Sequence, residues 1–369
     1  MSYTIPRRRW SHSPAPALRG GARFAPALAR IARQWVPAVV SILAAACGGG
    51  GARDTHMPDA PLPEEASSGG SAAPTRSVPQ ASSRVKEGEA KLQQQDAAGA
   101  RAAFEQAIAE DAHDARAQLD LGLACEMLKD TSCAETAYRH AIDIQPDLAE
   151  ALNNLGVLLR ARGELDQAVA LLQRAAQADP RSASAQANLG LAFEDQGDAA
   201  AAERAYRAAL EIDPNAVMTR INLGLLLVAR GDNAGAREHL SAALSGAKGN
   251  RAALVAIGNG LRRAGDARGA LDAMQAALQG PPPPTPAELS ELALAQRATG
   301  DRDAAIATLQ KVIAQDARYA TAHYLLANML AAENRKADAR AHYERYLALE
   351  PKGEQAARAR ERLRLLKGK

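Results

Sequence analysis

Along this chain apolar residues fall into pairs of short helical stretches joined by a tight break, and the pair recurs. Residues 149–180 read AEALNNLGVLLRARGELDQAVALLQRAAQADP. Leu152, Leu155, Val157, Leu158 and Leu159 keep a helical spacing until Gly163-Glu164 interrupts it. Leu165, Ala168, Val169, Leu172 and Ala175 restart the pattern, and Pro180 ends it. Each half predicts an amphipathic helix of about 13 residues. Two such helices cannot bury their apolar faces alone, so the unit needs neighbours like itself.

The neighbours stand at a fixed step. Gly88, Gly122, Gly156, Gly190, Gly224 and Gly258 are each 34 residues apart. Ala100, Ala134, Ala168, Ala202, Ala236 and Ala270 keep the same step. So do the bulky residues Phe104, Tyr138, Leu172, Tyr206, Leu240 and Met274, and the small residues Ala107, Ala141, Ala175, Ala209, Ala243 and Ala277. Small residues let the two helices of a unit approach closely, and the bulky one fills the hollow against the next helix. Two further units follow after the run Pro281–Pro284 shifts the register by one residue. The first carries Ala293, Gly300, Ala305, Leu309 and Val312, and the second Ala327, Ala339, Tyr343, Tyr346 and Pro351.

A 34-residue helix–turn–helix unit with these positions resembles the tetratricopeptide repeat family. The resemblance implies an all-α, right-handed superhelical solenoid of eight repeats over residues 81–353. Residues 354–369, with Ala357, Leu363, Leu365 and Leu366 among many arginines, are expected to form the polar-backed capping helix that a solenoid end requires. Aromatic residues make up only 3% of the chain, so Leu and Ala must supply its bulk.

Ahead of the repeats the pattern changes. Residues 1–46 hold seven arginines and no acid, and end in the apolar run WVPAVVSILAAA. That run is too short to span a bilayer, and the segment reads as a signal peptide. Leu43-Ala44-Ala45-Ala46-Cys47 resembles a bacterial lipobox, with its Leu one residue early. The resemblance implies cleavage before Cys47, lipidation of its thiol and amine, and an outer-membrane lipoprotein facing the periplasm. A plain secreted protein and a cytoplasmic protein with a disordered head are the other readings. Arg7-Arg8-Arg9 resembles a twin-arginine signal, but the apolar run lies far downstream of it. Residues 47–80, rich in Gly, Pro, Ser and Ala, are expected to be a disordered tether.

The net charge of +3 is carried by the head; without its seven arginines the remainder is −4. No basic stripe supplies a phosphate-binding term, so no nucleic-acid partner is expected. Cys125 and Cys133 flank a predicted turn, and either a disulfide or two unpaired thiols fits them. The seven histidines are scattered and are read as structural. The sequence holds no hydrolase, zincin or phosphate-loop motif, so no catalysis, cofactor, metal or small-molecule substrate is expected.

By resemblance, positions 2, 5, 6, 9, 12 and 13 of each repeat face the groove lined by the first helices. Position 6 is Asn154, Asn188 and Asn222. A row of amides offers donors and acceptors to an extended peptide backbone. It resembles the asparagine ladder of the repeat domain in O-linked N-acetylglucosamine transferases. Local hydrogen bonding of each amide is the competing account. Leu119, Leu123, Val157, Leu191, Ile221 and Leu225, at positions 5 and 9, are expected to line the groove around the row. Arg262, Arg263 and Arg297 form a basic rim further along. The expected function is a membrane-anchored scaffold that binds a protein or extended peptide segment, with a pilotin-like envelope assembly factor as its narrower form. A substrate-presenting subunit of a separate glycosyltransferase and a cytoplasmic adaptor are the alternatives.

Overall fold

The computed structural model describes residues 83–367. Seventeen α-helices and no strand occur among the described residues. They are α1 (Ser83–Gln93), α2 (Ala97–Glu110), α3 (Ala115–Met127), α4 (Thr131–Ile144), α5 (Ala149–Arg162), α6 (Leu165–Ala178), α7 (Ala183–Gln196), α8 (Ala199–Ile212) and α9 (Val217–Arg230). The series continues with α10 (Asn233–Ala243), α11 (Arg251–Arg263), α12 (Ala267–Ala277), α13 (Pro286–Ala298), α14 (Arg302–Gln315), α15 (Ala320–Ala332), α16 (Lys336–Leu349) and α17 (Ala356–Lys367). Sixteen helices pair as eight hairpins, each packed on the hairpins before and after it, and α17 packs on α16. The chain is thus a helical-repeat solenoid with a terminal helix. The signal segment 1–46, Cys47 and the tether through residue 80 lie outside the described residues.

The same turn chemistry builds most hairpins. The first helix ends at a left-handed residue such as Gly163, Gly197 or Gly231, with φ of 84°, 87° and 84°. A β-carbon would be strained there, which is why glycine recurs. An aspartate usually follows and caps the second helix. Asp130 accepts from the Cys133 amide at 3.0 Å, Asp198 from Ala201 at 2.9 Å and Asp266 from Gly269 at 2.8 Å. Each cap contributes about 1 kcal/mol. Glu164 holds the same place in the third hairpin and makes no side-chain cap.

The core runs between the two helices of each hairpin. Phe104, Tyr138, Leu172, Tyr206, Leu240 and Tyr343 are fully buried. The bulky residue packs on the glycine of its own hairpin: a β-carbon on Gly156 would stand 2.7 Å from Leu172 Cγ, and one on Gly224 2.6 Å from Leu240 Cγ. Leu240 also fills the hollow against the next helix, as expected, since a β-carbon on Gly260 would stand 2.6 Å from its Cδ1. Burial of side chains of this size contributes about 1.5–3 kcal/mol each.

The proline run sits between α12 and α13. Arg251 donates to the carbonyl oxygens of Gly280 at 3.0 Å and Pro282 at 2.7 Å. Thr285 then opens α13 with a reciprocal capping box to Glu288. The extra residue is therefore absorbed in a loop tied to the sixth hairpin. Helix α17 places Ala356, Ala359 and Leu363 over the core around Tyr343 and Tyr346.

Candidate binding groove

First helices of neighbouring hairpins touch one another: α1 meets α3, α5 meets α7, α9 meets α11, and the series continues through α13 to α15. Second helices pack on the first helices beside them rather than on each other. The first-helix side is therefore the inner side of the stack, and its outward-facing positions form a continuous strip.

Asn154, Asn188 and Asn222 lie on that strip, each partly exposed. The first two do not stand free. Asn188 Nδ2 donates to Asn153 Oδ1 at 2.9 Å, and Asn153 Nδ2 donates to Asn154 Oδ1 at 3.2 Å. Asn153, at position 5, thus ties the amide of one repeat to that of the next. The Asn222 side chain makes no hydrogen bond to any described residue. Its full amide and the remaining capacity of Asn188 are open to a ligand.

The apolar expectation divides by position. Leu123, Val157, Leu191 and Leu225, at position 9, are partly exposed along the strip. Leu119 and Ile221, at position 5, are only 2% exposed and do not line it. Leu119 belongs to the same packed cluster as Leu152 and Leu155, and Ile221 to that of Leu254 and Ile257. Both side chains are taken up in the packing between neighbouring hairpins. The groove wall is accordingly narrower and more polar than a two-position stripe.

Carboxylates on this side carry raised pKa values. Asp120, at position 6 of the second repeat, is 1% exposed, and burial pushes its pKa up to about 6 against the opposing pull of Arg116. Arg116 Nε donates to Asp120 Oδ2 at 3.0 Å. Burial also raises Glu126, Glu194 and Glu291. Tyr206 donates to Glu194 at 2.9 Å, and Arg262 meets Glu291 at 3.5 Å. The hydroxyl of Tyr138 is buried between Glu126 and Asn154 and makes no well-formed hydrogen bond among the described residues. Burial and the Glu126 carboxylate beside it push its pKa far upward.

The Cys125 and Cys133 sulfurs are joined across the second hairpin, with a Cα–Cα separation of 5.7 Å. The bond ties the end of α3 to the start of α4. The histidines are scattered along the sequence, but the structure pairs two. His323 Nδ1 and His342 Nδ1 are 2.9 Å apart, and His323 Nε2 lies 3.2 Å from the Ala317 carbonyl. A carbonyl accepts only, so neutral His323 carries its proton on Nε2 and accepts at Nδ1 from His342. Nineteen residues separate the two, on different helices, so no linear pattern reveals them. No group of three or more metal-ligating side chains occurs among the described residues. No described helix is long and apolar enough to cross a membrane.

No curated protein matches the chain. Solved structures with partial likeness include a Pseudomonas aeruginosa pilF structure, 21% identical over 53% of this chain and 89% of that one, with a TM-score of 0.49. A second is PilW, described as a widely conserved type IV pilus biogenesis factor, 24% identical over 53% and 90%, with a TM-score of 0.48. A third is MamA, 25% identical over 43% and 92%, with a TM-score of 0.40. The family model for the tetratricopeptide repeat matches residues 85–149, 130–183, 153–217, 221–284 and 290–362. These matches reach all eight hairpins and cover well over half of the sequence, so the chain belongs to the tetratricopeptide repeat family, whose members are generally protein-interaction scaffolds.

Proposed function

We propose that this protein is a non-catalytic, membrane-anchored scaffold that holds an extended segment of a partner protein along the inner strip of its central repeats. The observation that carries the reading is the strip itself. Partly exposed Leu123, Val157, Leu191 and Leu225 alternate with the amides of Asn154, Asn188 and Asn222. Apolar contacts supply affinity, and amides bond a peptide backbone without reading its side chains. Because Asn153 engages the first two amides, Asn222 is the rung best placed to meet a ligand first.

The anchoring half of the proposal rests on the N-terminal sequence, with its basic head, short apolar run and Cys47. It places the scaffold at the periplasmic face of an outer membrane, where an envelope-assembly role of the pilotin kind fits a tethered binding module. Crosslinking in native membranes, affinity purification and mass analysis of the N-terminal peptide test both halves together. An acylated Cys47 peptide with one dominant envelope partner is the expected result. An unmodified N-terminus with cytoplasmic partners rejects the anchoring and the location. Replacing Asn154, Asn188 and Asn222 together by Ala should leave helical content intact and weaken capture of that partner; unchanged capture rejects the amide row as a binding device.

A further inference from the structure

Arginines at position 12 of the repeats recur on the inner strip, and the chain itself supplies a carboxylate to two of them. Arg160 meets Asp195, at position 13 of the next repeat, at 3.3 Å. Arg262 meets Glu291, at position 6 of the next repeat, at 3.5 Å. Arg297, at position 12 of the seventh repeat, has neither partner. Ala332 stands at position 13 of the eighth repeat and Leu325 at position 6. In place of a carboxylate there is an open cavity of about 310 Å³ lined by Arg297, Arg302, Asn328, Met329 and Ala332.

The side-chain groups of this cavity that lack a partner among the described residues are donors. The guanidinium groups of Arg297 and Arg302 make no ion pair or hydrogen bond with another described residue. The Asn328 side chain is held in one orientation, because buried Tyr343 donates to its Oδ1 at 2.7 Å. That leaves Asn328 Nδ2 as a donor with no described partner. Two guanidinium groups and an amide nitrogen around one cavity match an oxyanion that accepts several hydrogen bonds at once. Met329 and Ala332 add an apolar wall suited to the methylene stem of an acidic side chain.

We propose that the cavity between the seventh and eighth repeats receives a carboxylate of an acidic segment of the partner protein. The ligand supplies from outside what Asp195 and Glu291 supply from within. The inference rests on the reading of the inner strip as a peptide-binding surface and gives that surface a chemical preference at one end. The strip would then hold its partner by backbone bonding in the middle and by charge near α15.

The test uses the chain from residue 81 onward, which contains every described helix, and a fluorescein-labelled peptide with several glutamates spaced by leucine and serine. The same peptide with glutamines is the control. Tighter binding of the glutamate peptide is expected, with about a tenfold loss for Arg297→Gln combined with Arg302→Gln. Ala332→Asp should give Arg297 an internal partner and cause a comparable loss while the protein stays folded by circular dichroism. Equal binding of the two peptides overturns the proposal, as does unchanged affinity in both variants. Stronger competition by inorganic phosphate or a phosphoserine peptide than by the glutamate peptide overturns it in favour of a phosphate site. The Asn154, Asn188 and Asn222 triple variant is measured alongside. Loss of binding in that variant alone supports the central amide row and rejects the arginine site. No binding by any form rejects the arginine site and leaves the amide row to the crosslinking experiment.

Discussion

The ring of Tyr206 occupies the space that a β-carbon on Gly190 would need: that carbon would stand 2.5 Å from Tyr206 Cε1. The two residues set the spacing between α7 and α8. The seventh and eighth repeats show the alternative, since Ala293 and Ala327 hold the same position beside Leu309 and Tyr343 and are fully buried. Alanine is thus compatible with the fold when the helices are set for it. In the fourth repeat they are not, so Gly190→Ala must push α7 and α8 apart. The expected cost is about 1–3 kcal/mol of stability. Thermal unfolding of the variant against the parent checks it, and an unchanged midpoint would mean that the hairpin relaxes freely.

The His323–His342 pair gives the last repeat a pH response. Burial lowers both pKa values. The Arg345 charge lowers His323 further, and the Ala317 carbonyl opposes that fall. The neighbouring His323 lowers His342, with Asp338 pulling the other way. A base with a lowered folded pKa stays neutral in the folded state where the unfolded chain takes up a proton. Stability is therefore full above the ordinary histidine pKa of about 6.5 and declines as pH falls through it toward the folded value. Amide exchange in α15 and α16, corrected for the intrinsic pH effect, should accelerate between pH 7.5 and 5.5. A His323→Leu and His342→Leu double variant should lose most of that acceleration; an equal response in both would assign it to other groups.

The parts of this molecule that repeat were legible in its sequence, because a step held over six units exposes both the helix pairs and their close-packed positions. Gly88 to Gly258 and Phe104 to Met274 needed only counting. Burial across a repeat boundary was less legible. Leu119 and Ile221 look like groove residues on a single helix, and only the packing of neighbouring hairpins shows that they are covered. The engagement of Asn154 and Asn188 was hidden for a similar reason. Asn153 stands at position 5 in one repeat only, so it breaks the periodic pattern instead of following it. Arg297 was visible as a basic residue, but its lack of a partner depends on Leu325 and Ala332 one repeat away.

Asp120 stands in the second repeat at the position that the next three repeats fill with asparagine. Its pKa of about 6 lies above the ordinary carboxylate value of 3.8. An acid with a raised folded pKa favours folding below the unfolded value, and that contribution is lost as pH rises through the folded one. At neutral pH Asp120 is therefore a buried charge held by half-exposed Arg116. Asp120→Asn should stabilise the protein by about 1–3 kcal/mol at pH 7.5, less whatever the Arg116 contact contributes. The gain should vanish near pH 4, where the native carboxyl is already neutral. Denaturant unfolding at the two pH values measures the difference. A variant less stable than the parent at pH 7.5 would show that the Arg116 contact outweighs the burial cost.

Helix α17 covers the final hairpin much as each hairpin covers the one before it. Ala359 is fully buried there, Leu363 is nearly so, and the Gln355 amide donates to the Tyr346 hydroxyl at 3.1 Å. Removing residues 354–369 would uncover the apolar face around Tyr343 and Tyr346, with Leu347 and Leu349 beside it. An uncovered repeat face is the surface that the next repeat of another molecule fits, so the truncated chain should associate end to end. Its last hairpin should also unfold first, because the terminal unit keeps only one neighbour. Light scattering across a concentration series, with amide exchange in α15 and α16, measures both effects. A truncated chain that stays monomeric and keeps its exchange protection would show that α17 is attached to the solenoid without capping it.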